Sequence, residues 1–395
     1  AGVHRRFDLS GKFRLMSTKL YPRFNPKDFL TNTWQKKPEL IKEFLPYNEL
    51  ISPNELAGLA CEDFVESRLI EENPPHKIRH GPFKEEVFKK LPNENWTLLV
   101  QSVDLYDHRV RMIKDSFSFL PSWRLDDIMV SYATAEAGVG PHFDHYDVFL
   151  IQGEGRRKWQ LGKFCDTNTK IDNSSGLDLL RNFSPTEEFT LEEGDALYIP
   201  PHMSHNGTSI SNSVCYSVGF RAPSAFEMHP HDEEGNIRSD DPFHRFKNIN
   251  DSEAPSYDCE ITNRDLREAF NSSGACDYEG FCRSFGTFVT QPRYTEIFSA
   301  DQQIDSLSHL LRIINTEMKI NLHPASRIAF CELEKQGLIL FFNDGRSYPV
   351  DLEEIDLVRK MNYTCCYKSF IDNNQTSSCA KILLDMVRFG SLELS

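Results

Sequence analysis

Two short segments of the chain contain residue types that could hold a metal ion. His142 and Asp144 are two positions apart at the start of a β-rich run, and side chains at i and i+2 lie on the same face of a strand. His205 ends a second segment, Gly194–His205, in which a glycine turn and a proline pair precede the histidine. Two imidazoles and one carboxylate with open coordination positions are the ligand set of non-haem Fe(II) oxygenases. The two segments together predict a facial triad of His142, Asp144 and His205.

Other histidines lie close to these segments and compete for the same role. His145 and Asp147 form a second His-x-Asp pair, but odd-numbered residues of the strand point to the opposite face. His142 directly follows the glycine- and proline-containing turn 138–141, where a strand would enter a barrel, so the first pair is favoured. His202 lies within a turn, three residues before His205, and is not expected to be a ligand.

A basic residue downstream of the first segment is expected to bind an anion. Strand alternation over Arg156–Leu161 places Arg157 and Trp159 on one face, which we predict to be buried. A buried, unpaired charge is costly, so Arg157 needs an anionic partner. A guanidinium binds a carboxylate in a bidentate manner, which suits the distal carboxylate of a 2-oxoacid cosubstrate. A structural ion pair with an Asp or Glu is the alternative.

The elements that must position these residues are mainly short strands. From Trp96 to about Phe220, β-rich runs alternate with Gly, Pro and Asn signals, as expected for an antiparallel sandwich or barrel. The runs are WTLLVQSV, DDIMVSYA, DVFLIQ, RKWQLG, EEFTL, DALYIP and VCYSVGF. Upstream, Ser52, Pro53 and Glu55 have the spacing of a capping box, which predicts a helix through Leu59 and Phe64.

The rest of the chain differs in composition. Residues 224–318 are polar with helical runs such as RDLREAF and IDSLSHLLRIIN, which predicts a helical connecting or oligomerising region. The last residues combine strand-like LILFF and SYPVD around the turn Asn343–Gly345 with helical runs, as in a small α+β module. Residues 1–15 lack the apolar core of a secretory signal. We interpret them as a leader segment that precedes Met16.

Composition excludes several classes of protein. The chain has 395 residues and 39% hydrophobic content, enough for real cores. The 44 Lys and Arg against 59 Asp and Glu give a net charge of −15, which argues against a polyanion-binding surface over the whole protein. Apolar runs such as Leu338–Phe342 are far too short to span a membrane. Ten cysteines without CxxC spacing predict reduced thiols and a cytoplasmic location.

The longest motifs resemble a known family. PHFDHYDVFLIQGEGRRKWQLG, EEGDALYIPP and CYSVGFRAP are similar to the JmjC-type, cupin-superfamily ribosomal oxygenases of bacteria. The resemblance is strong from Met16 to Pro223 and weak beyond. It implies an α+β fold with a mainly β core: a double-stranded β-helix in 16–223, a helical dimerisation region in 224–318 and a winged-helix-like module in 319–395. Family members form homodimers.

The resemblance also implies roles for individual residues. Fe(II) would be held by His142, Asp144 and His205, and 2-oxoglutarate by Arg157, with Ser131 touching this cosubstrate. With O2, such a site hydroxylates a C–H bond while 2-oxoglutarate is decarboxylated to succinate. The implied partner is a basic large-subunit ribosomal protein, with an arginine of the L-sixteen family member as first choice. The chain departs from glycine-rich relatives at Glu136, and acidic residues near the barrel mouth could pair with a guanidinium.

Other functions stay open at this point. They are hydroxylation of a histidine on another ribosomal protein, demethylation of lysine, and a zinc-dependent cupin isomerase that would not need Arg157. A non-enzymatic alternative is a winged-helix regulator with a degenerate JmjC domain. Residues 316–395 carry nine basic and eleven acidic residues, and this balance argues against direct nucleic-acid binding.

Overall fold

The structure is a computed structural model. It describes residues 24–45, 51–71, 77–228, 241–247, 259–298, 304, 306–314, 320–361 and 377–394. The expected leader at residues 1–15 lies outside these ranges. Within them, no helix combines the length and the apolar character needed to cross a membrane.

Strands dominate the described part of the chain up to residue 220, as the sequence predicts. In chain order the strands are β1 (Glu39–Ile41), β2 (Ser67–Glu71), β3 (Lys77–His80), β4 (Trp96–Val100), β5 (Leu125–Ala133), β6 (Asp147–Gln152), β7 (Arg157–Phe164), β8 (Ile171–Asp172), β9 (Leu179–Leu180), β10 (Glu187–Leu191), β11 (Ala196–Ile199), β12 (Met203–Ser209), β13 (Ser213–Phe220), β14 (Ile320–Leu322), β15 (Ile328–Leu333), β16 (Leu338–Asn343), β17 (Arg346–Asp351) and β18 (Leu392–Leu394).

Two antiparallel sheets form the barrel. The larger sheet has eight strands in the order β1-β11-β6-β13-β5-β4-β2-β3, and the smaller has the order β10-β7-β12. Side chains from both sheets share one core, in which Leu150 and Cys215 of the large sheet meet Trp159 and Leu161 of the small one. The sheets therefore pack face to face, which confirms the double-stranded β-helix and places Trp159 inside it.

The outer face of the large sheet is covered by the N-terminal region. Its core is rich in phenylalanine rings, and Phe149 of β6 contacts Phe29, Phe44 and Phe117 at centroid distances of 5.4, 5.9 and 4.9 Å. Large aromatic side chains bury much apolar area and stack edge-to-face at these distances. This packing fixes the sheet whose inner face carries part of the site.

The described helices are short. They are α1 (Pro26–Asn32), α2 (Pro53–Leu59), α3 (Glu85–Phe88), α4 (His108–Met112), α5 (Ala225–Met228), α6 (Asn263–Ser273), α7 (Tyr278–Thr290), α8 (Leu307–Ile314), α9 (Ile355–Lys360) and α10 (Ser378–Arg388).

The capping box at the start of α2 is present as predicted, but the helix is shorter than expected. The Ser52 hydroxyl accepts a hydrogen bond from the backbone N–H of Glu55, whose carboxylate in turn accepts one from the backbone N–H of Ser52. The helix ends at Leu59, so its predicted continuation to Phe64 is wrong. The backbone tightens into a turn in which Cys61 N–H donates to Gly58 O, and Phe64 follows outside the helix with 58% of its surface exposed.

The C-terminal strands form a separate three-stranded sheet, β15-β16-β17, around the predicted turn Asn343–Gly345. Helices α6 and α7 share a core with this sheet, because Leu266 of α6 and Phe285 of α7 belong to the same buried cluster as Phe342. A Cβ on Gly286 of α7 would lie 2.2 Å from the Phe342 ring, so glycine permits the close approach. The winged-helix-like character, the domain bounds and the dimer stay predictions.

Candidate metal centre

The three predicted ligands come from two neighbouring stretches of backbone. His205 lies on β12, and residues 138–142 run alongside this strand through bridges at Gly138–Thr208 and His142–His205. The two histidines exchange both backbone hydrogen bonds, at 3.0 and 2.8 Å. This pairing brings together residues that are 63 positions apart in the sequence.

The side chains of His142, Asp144 and His205 converge. One ligand atom from each lies within 4.8 Å of the others, and this is the one group of metal-binding side chains found in the described ranges. His205 Nε2 lies 3.6 Å from Asp144 Oδ2, and the two imidazole centroids are 4.3 Å apart. Asp144 and His142 remain partly exposed while His205 is 2% exposed. The cluster therefore has a buried side and a side open to solvent.

Hydrogen bonds orient both imidazoles for metal binding. Nδ1 of His142 lies 2.8 Å from Gly140 O, and Nδ1 of His205 lies 3.0 Å from Met203 O. A carbonyl can only accept, so each Nδ1 is the donor, which leaves Nε2 of the neutral ring as the atom that can bind a metal. Burial and the neighbouring His142 lower the pKa of His205 to about 4, so its ring is neutral at pH 7. These are the states that a metal ligand requires.

The competing residues lie elsewhere, as predicted. Asp147 is fully buried beside Arg124 at 3.3 Å and accepts hydrogen bonds from Tyr198 Oη at 2.6 Å and Gln35 Nε2 at 2.8 Å. It ties the N-terminal region to the barrel. The rings of His145 and His202 contact each other, with centroids 5.2 Å apart, and neither residue belongs to the cluster of metal-binding side chains.

Arg157 is buried inside the barrel, with 6% of its surface exposed. Its guanidinium donates to Ser131 Oγ at 3.0 Å and to Ser213 Oγ at 3.2 and 3.0 Å, the last two from Nε and Nη2. Within the described residues no salt bridge neutralises it, so the alternative of a structural ion pair is not what the structure shows. Burial lowers the pKa of Arg157 because the charged form loses solvation. The pocket thus holds a cation among hydroxyls without an anion.

Ser213 is a contact that the sequence does not predict. It starts β13, opposite Ala133 of β5, and its hydroxyl also lies 2.7 Å from Ser209 Oγ. The run Ser211-Asn212-Ser213 gives only a turn signal. Its position beside Arg157 depends on sheet register between strands distant in sequence.

Glu136 lies outside the metal cluster. It is exposed in the turn after β5, with a left-handed φ of 64°, and its N–H donates to Ser209 O at 2.8 Å. A cavity of about 310 Å³ opens on another side of the barrel, next to Tyr146. Asp126 and Asp127 line this cavity, but Arg293 lies 3.2 Å from Asp126 and 3.9 Å from Asp127. Both carboxylates therefore already form ion pairs with an arginine of the same protein.

The site geometry agrees with comparisons to known proteins. Residues 112–228 match the JmjC domain family, and these residues contain all five predicted site residues. The ribosomal protein uL16 3-hydroxylase of Escherichia coli is 43% identical over 208 residues, which cover 52% of this chain and 54% of that protein. A probable ribosomal oxygenase of Haemophilus influenzae is 38% identical over 207 residues, with 50% of each chain covered.

Solved structures match over more of the chain than these sequences do. The X-ray structure of E. coli YcfD superposes with a TM-score of 0.73 and 28% identity, covering 94% of this chain and 99% of that one. YcfD in complex with cobalt and 2-oxoglutarate gives a TM-score of 0.71 with the same coverage and identity. In sequence, the chain spans about half the length of the curated relatives that it matches. The match to the JmjC domain family and the similarity to bacterial ribosomal oxygenases confirm the predicted resemblance.

Proposed function

We propose that the protein is an Fe(II)- and 2-oxoglutarate-dependent hydroxylase of a basic large-subunit ribosomal protein. The observation that carries this proposal is the pairing of an open His-Asp-His cluster with a buried arginine that lacks a carboxylate partner in the described chain. A zinc-dependent isomerase would need the cluster but not the arginine. The two features together are what a metal and a dicarboxylate cosubstrate require.

The residues present fit these groups. His142, Asp144 and His205 would hold Fe(II) through the Nε2 atoms of the two imidazoles and a carboxylate. Arg157 would hold the distal carboxylate of 2-oxoglutarate, supported by Ser131. When bound, these groups supply an oxidant from O2, with release of succinate and carbon dioxide, that can hydroxylate an unactivated C–H bond. The YcfD structure with cobalt and 2-oxoglutarate supports this assignment.

The protein's own contribution is to orient these groups and to exclude water. Nδ1–H bonds fix both imidazole rings, and Ser131 and Ser213 hold the guanidinium in one direction inside the barrel. Trp159 lies between the two functional regions, with its ring centroid 6.0 Å from that of His205. Apolar walls keep bulk water away from the buried side, which strengthens the charge interactions there.

The proposed substrate rests on the relatives, not on the pocket. A relative named as a uL16 3-hydroxylase supports a protein of that ribosomal family as the substrate, and arginine as the hydroxylated residue follows from the family resemblance. The net charge of −15 should attract a basic protein and speed encounter without defining its sequence. A ribosomal protein substrate and the free thiols of all eight described cysteines fit a cytoplasmic location.

Quaternary organisation is part of the same proposal. A catalytic region at 16–223 is followed by a helical dimerisation region at 224–318 and a winged-helix-like module at 319–395. The apolar faces of α6 and α7 already pack on the C-terminal sheet, so a homodimer has to use other surfaces of the helical region. Light scattering of the purified chain, which distinguishes one copy from two, tests the homodimer.

The function is tested by mass spectrometry of peptides after incubation with Fe(II), 2-oxoglutarate and air. Three peptides are compared: one from the uL16-family protein, one histidine-containing peptide from another ribosomal protein and one containing methyl-lysine. Gain of one oxygen on arginine is expected. Oxygen on histidine alone, or loss of methyl groups from lysine alone, would assign the corresponding alternative function.

A further inference from the structure

We propose that Phe243, in the connecting segment 241–247, is a positioning residue that holds Asp144 in place for metal binding. This inference rests on the proposed role of the His-Asp-His cluster. Phe243 touches none of the three ligand side chains in the described contacts. It packs instead on Phe143 and His145, which flank Asp144 in sequence, and on His202.

Asp144 lies on irregular backbone. The bridge to β12 occurs at His142, and the next regular strand, β6, begins only at Asp147. Between these points the backbone of Asp144 accepts a hydrogen bond from His202 N–H at 2.7 Å. The position of the carboxylate ligand therefore depends on the turn that contains His202 rather than on a strand ladder.

The turn containing His202 is itself in an uncommon conformation. His202 has a φ of 66°, in the left-handed region that residues with a Cβ rarely adopt. Its carbonyl accepts from Cys165 N–H at 2.8 Å, and Met203 N–H donates to Pro200 O at 3.3 Å. Such a conformation persists when the surrounding structure fixes it. The packing of the His202 side chain is thus coupled to where Asp144 lies.

Phe243 supplies that packing. We define the ring cluster as Phe143, His145, His202 and Phe243. The Phe243 centroid lies 5.8 Å from Phe143, 5.0 Å from His145 and 4.8 Å from His202, in the range of favourable aromatic contacts. Phe143 and His145 flank Asp144 in sequence, so one ring braces both the Asp144 segment and the His202 turn.

The connecting segment is anchored firmly enough to act as a brace. Three residues after Phe243, Phe246 is buried, donates from N–H to Pro223 O at 2.8 Å and contacts Trp123 and Phe285 at 6.1 and 5.8 Å. Arg245 donates to Ala222 O at 2.9 Å. Because Phe285 belongs to α7, the metal-binding segment is connected through Phe243 to the helical region outside the barrel.

The physical consequence is a dependence of metal affinity on Phe243. A metal binds tightly when its ligands are already held in the coordinating geometry, and partners outside the ligand set contribute by fixing that geometry. Without the Phe243 ring, the Asp144 segment and the His202 turn can separate. Without the Phe243 ring, the metal-free protein loses only the packing of a half-buried side chain. The metal-bound protein also loses the fixed position of its Asp144 carboxylate ligand.

The test is Co(II) titration of the metal-free full-length protein, followed by the visible d–d absorption of the bound ion. Phe243→Ala is compared with the wild type, with Phe243→Tyr as the conservative variant, and with His244→Ala, whose exposed side chain lies in the same segment. We expect Phe243→Ala to weaken Co(II) binding roughly 10- to 100-fold. Phe243→Tyr should restore both affinity and spectrum, and His244→Ala should match the wild type.

Thermal unfolding of the apo proteins separates positioning from stability. Unchanged Co(II) affinity in Phe243→Ala would overturn the proposal. The proposal would also be overturned if Phe243→Ala and Phe243→Tyr both bound Co(II) weakly and both lost the same stability in the metal-free state. If Phe243→Ala does not fold, Phe243→Leu is measured by the same criteria. Failure of the wild type to bind Co(II) would instead contradict the proposed function.

Discussion

At the scale of single residues, Arg157 is both charged and buried, and these two properties together require binding partners for its guanidinium. Strand alternation predicts that it points inward, and burial of a cation predicts an anion nearby. The structure adds the three hydroxyl contacts that hold the guanidinium without neutralising it. Ser131 was expected from the family resemblance, whereas Ser213 was not, because its proximity depends on the pairing of β13 with β5.

Replacing Arg157 should weaken cosubstrate binding. Arg157→Ala removes a charged hydrogen-bond donor from a buried pocket, and such bonds contribute about 1.5–3 kcal/mol. The dissociation constant for 2-oxoglutarate, measured by calorimetry with Mn(II) in place of Fe(II), should rise about 10- to 150-fold. Arg156→Ala is the control, because Arg156 is exposed and lies 3.9 Å from Glu192 on the surface. Equal losses in the two variants would exclude the role of Arg157.

Replacing Asp144 should abolish metal binding. Asp144→Ala removes the only anionic ligand of the described cluster, so we expect a loss larger than the roughly 10- to 100-fold that removal of a partner outside the ligand set costs. Co(II) titration measures this loss, and Asp178→Ala, at an exposed acidic residue, is the matched control. Retention of wild-type affinity in Asp144→Ala would show that the ion binds elsewhere.

At the scale of elements, strands were predicted more accurately than the contacts between them. Alternation and turn residues are local signals, so β5, β6, β7 and β10 have nearly the predicted bounds. The predicted α2 helix is too long because Phe64 continues the apolar spacing of the helix, although the backbone turns before this residue. The support of Asp144 by Phe243 could not be predicted, because the two segments are distant in sequence and come together only in the folded protein.

The close contact between Trp159 of β7 and Gly207 of β12 predicts that adding a methyl group at Gly207 destabilises the protein. A Cβ on Gly207 would lie 2.6 Å from the indole of Trp159, which is packed inside the barrel. Gly207→Ala should therefore displace Trp159 and destabilise the protein by about 1–3 kcal/mol, the usual cost of overpacking. Chemical denaturation measures the free energy of unfolding. Gly58→Ala is the control, because Gly58 lies in a helix and a Cβ there meets no atom within 4 Å. An equally large loss of unfolding free energy in Gly58→Ala would contradict the packing argument.

At the scale of the whole molecule, charge and composition constrain partners without naming them. The net charge of −15 argues against a polyanion-binding surface over the whole protein and favours a basic partner. The isolated bridge between His142, on the segment before β6, and His205 of β12 explains why these two residues meet. The proposed substrate rests on relatives, because composition does not determine the shape of the loops in which binding residues usually lie.

Electrostatic attraction of a basic substrate should depend on salt. The Debye length is about 8 Å at 0.15 M ionic strength and shorter at higher salt, so long-range attraction is screened. We expect kcat/KM for the intact ribosomal protein to fall as ionic strength rises, while kcat stays nearly constant. A short neutral peptide containing the same arginine serves as the control and should show a smaller dependence. Equal salt dependence of the two substrates would exclude steering by the net charge.

The central claim is that this site transfers oxygen from O2 to a protein side chain with 2-oxoglutarate as cosubstrate. Mass spectrometry after reaction under ¹⁸O2 tests it most directly, with the uL16-family peptide, Fe(II) and 2-oxoglutarate present. One labelled oxygen is expected in the hydroxylated arginine and one in succinate, with equal amounts of both products and none of either with Asp144→Ala. Succinate formed without a labelled arginine, or product oxygen that fails to carry the label, would rule out this reaction.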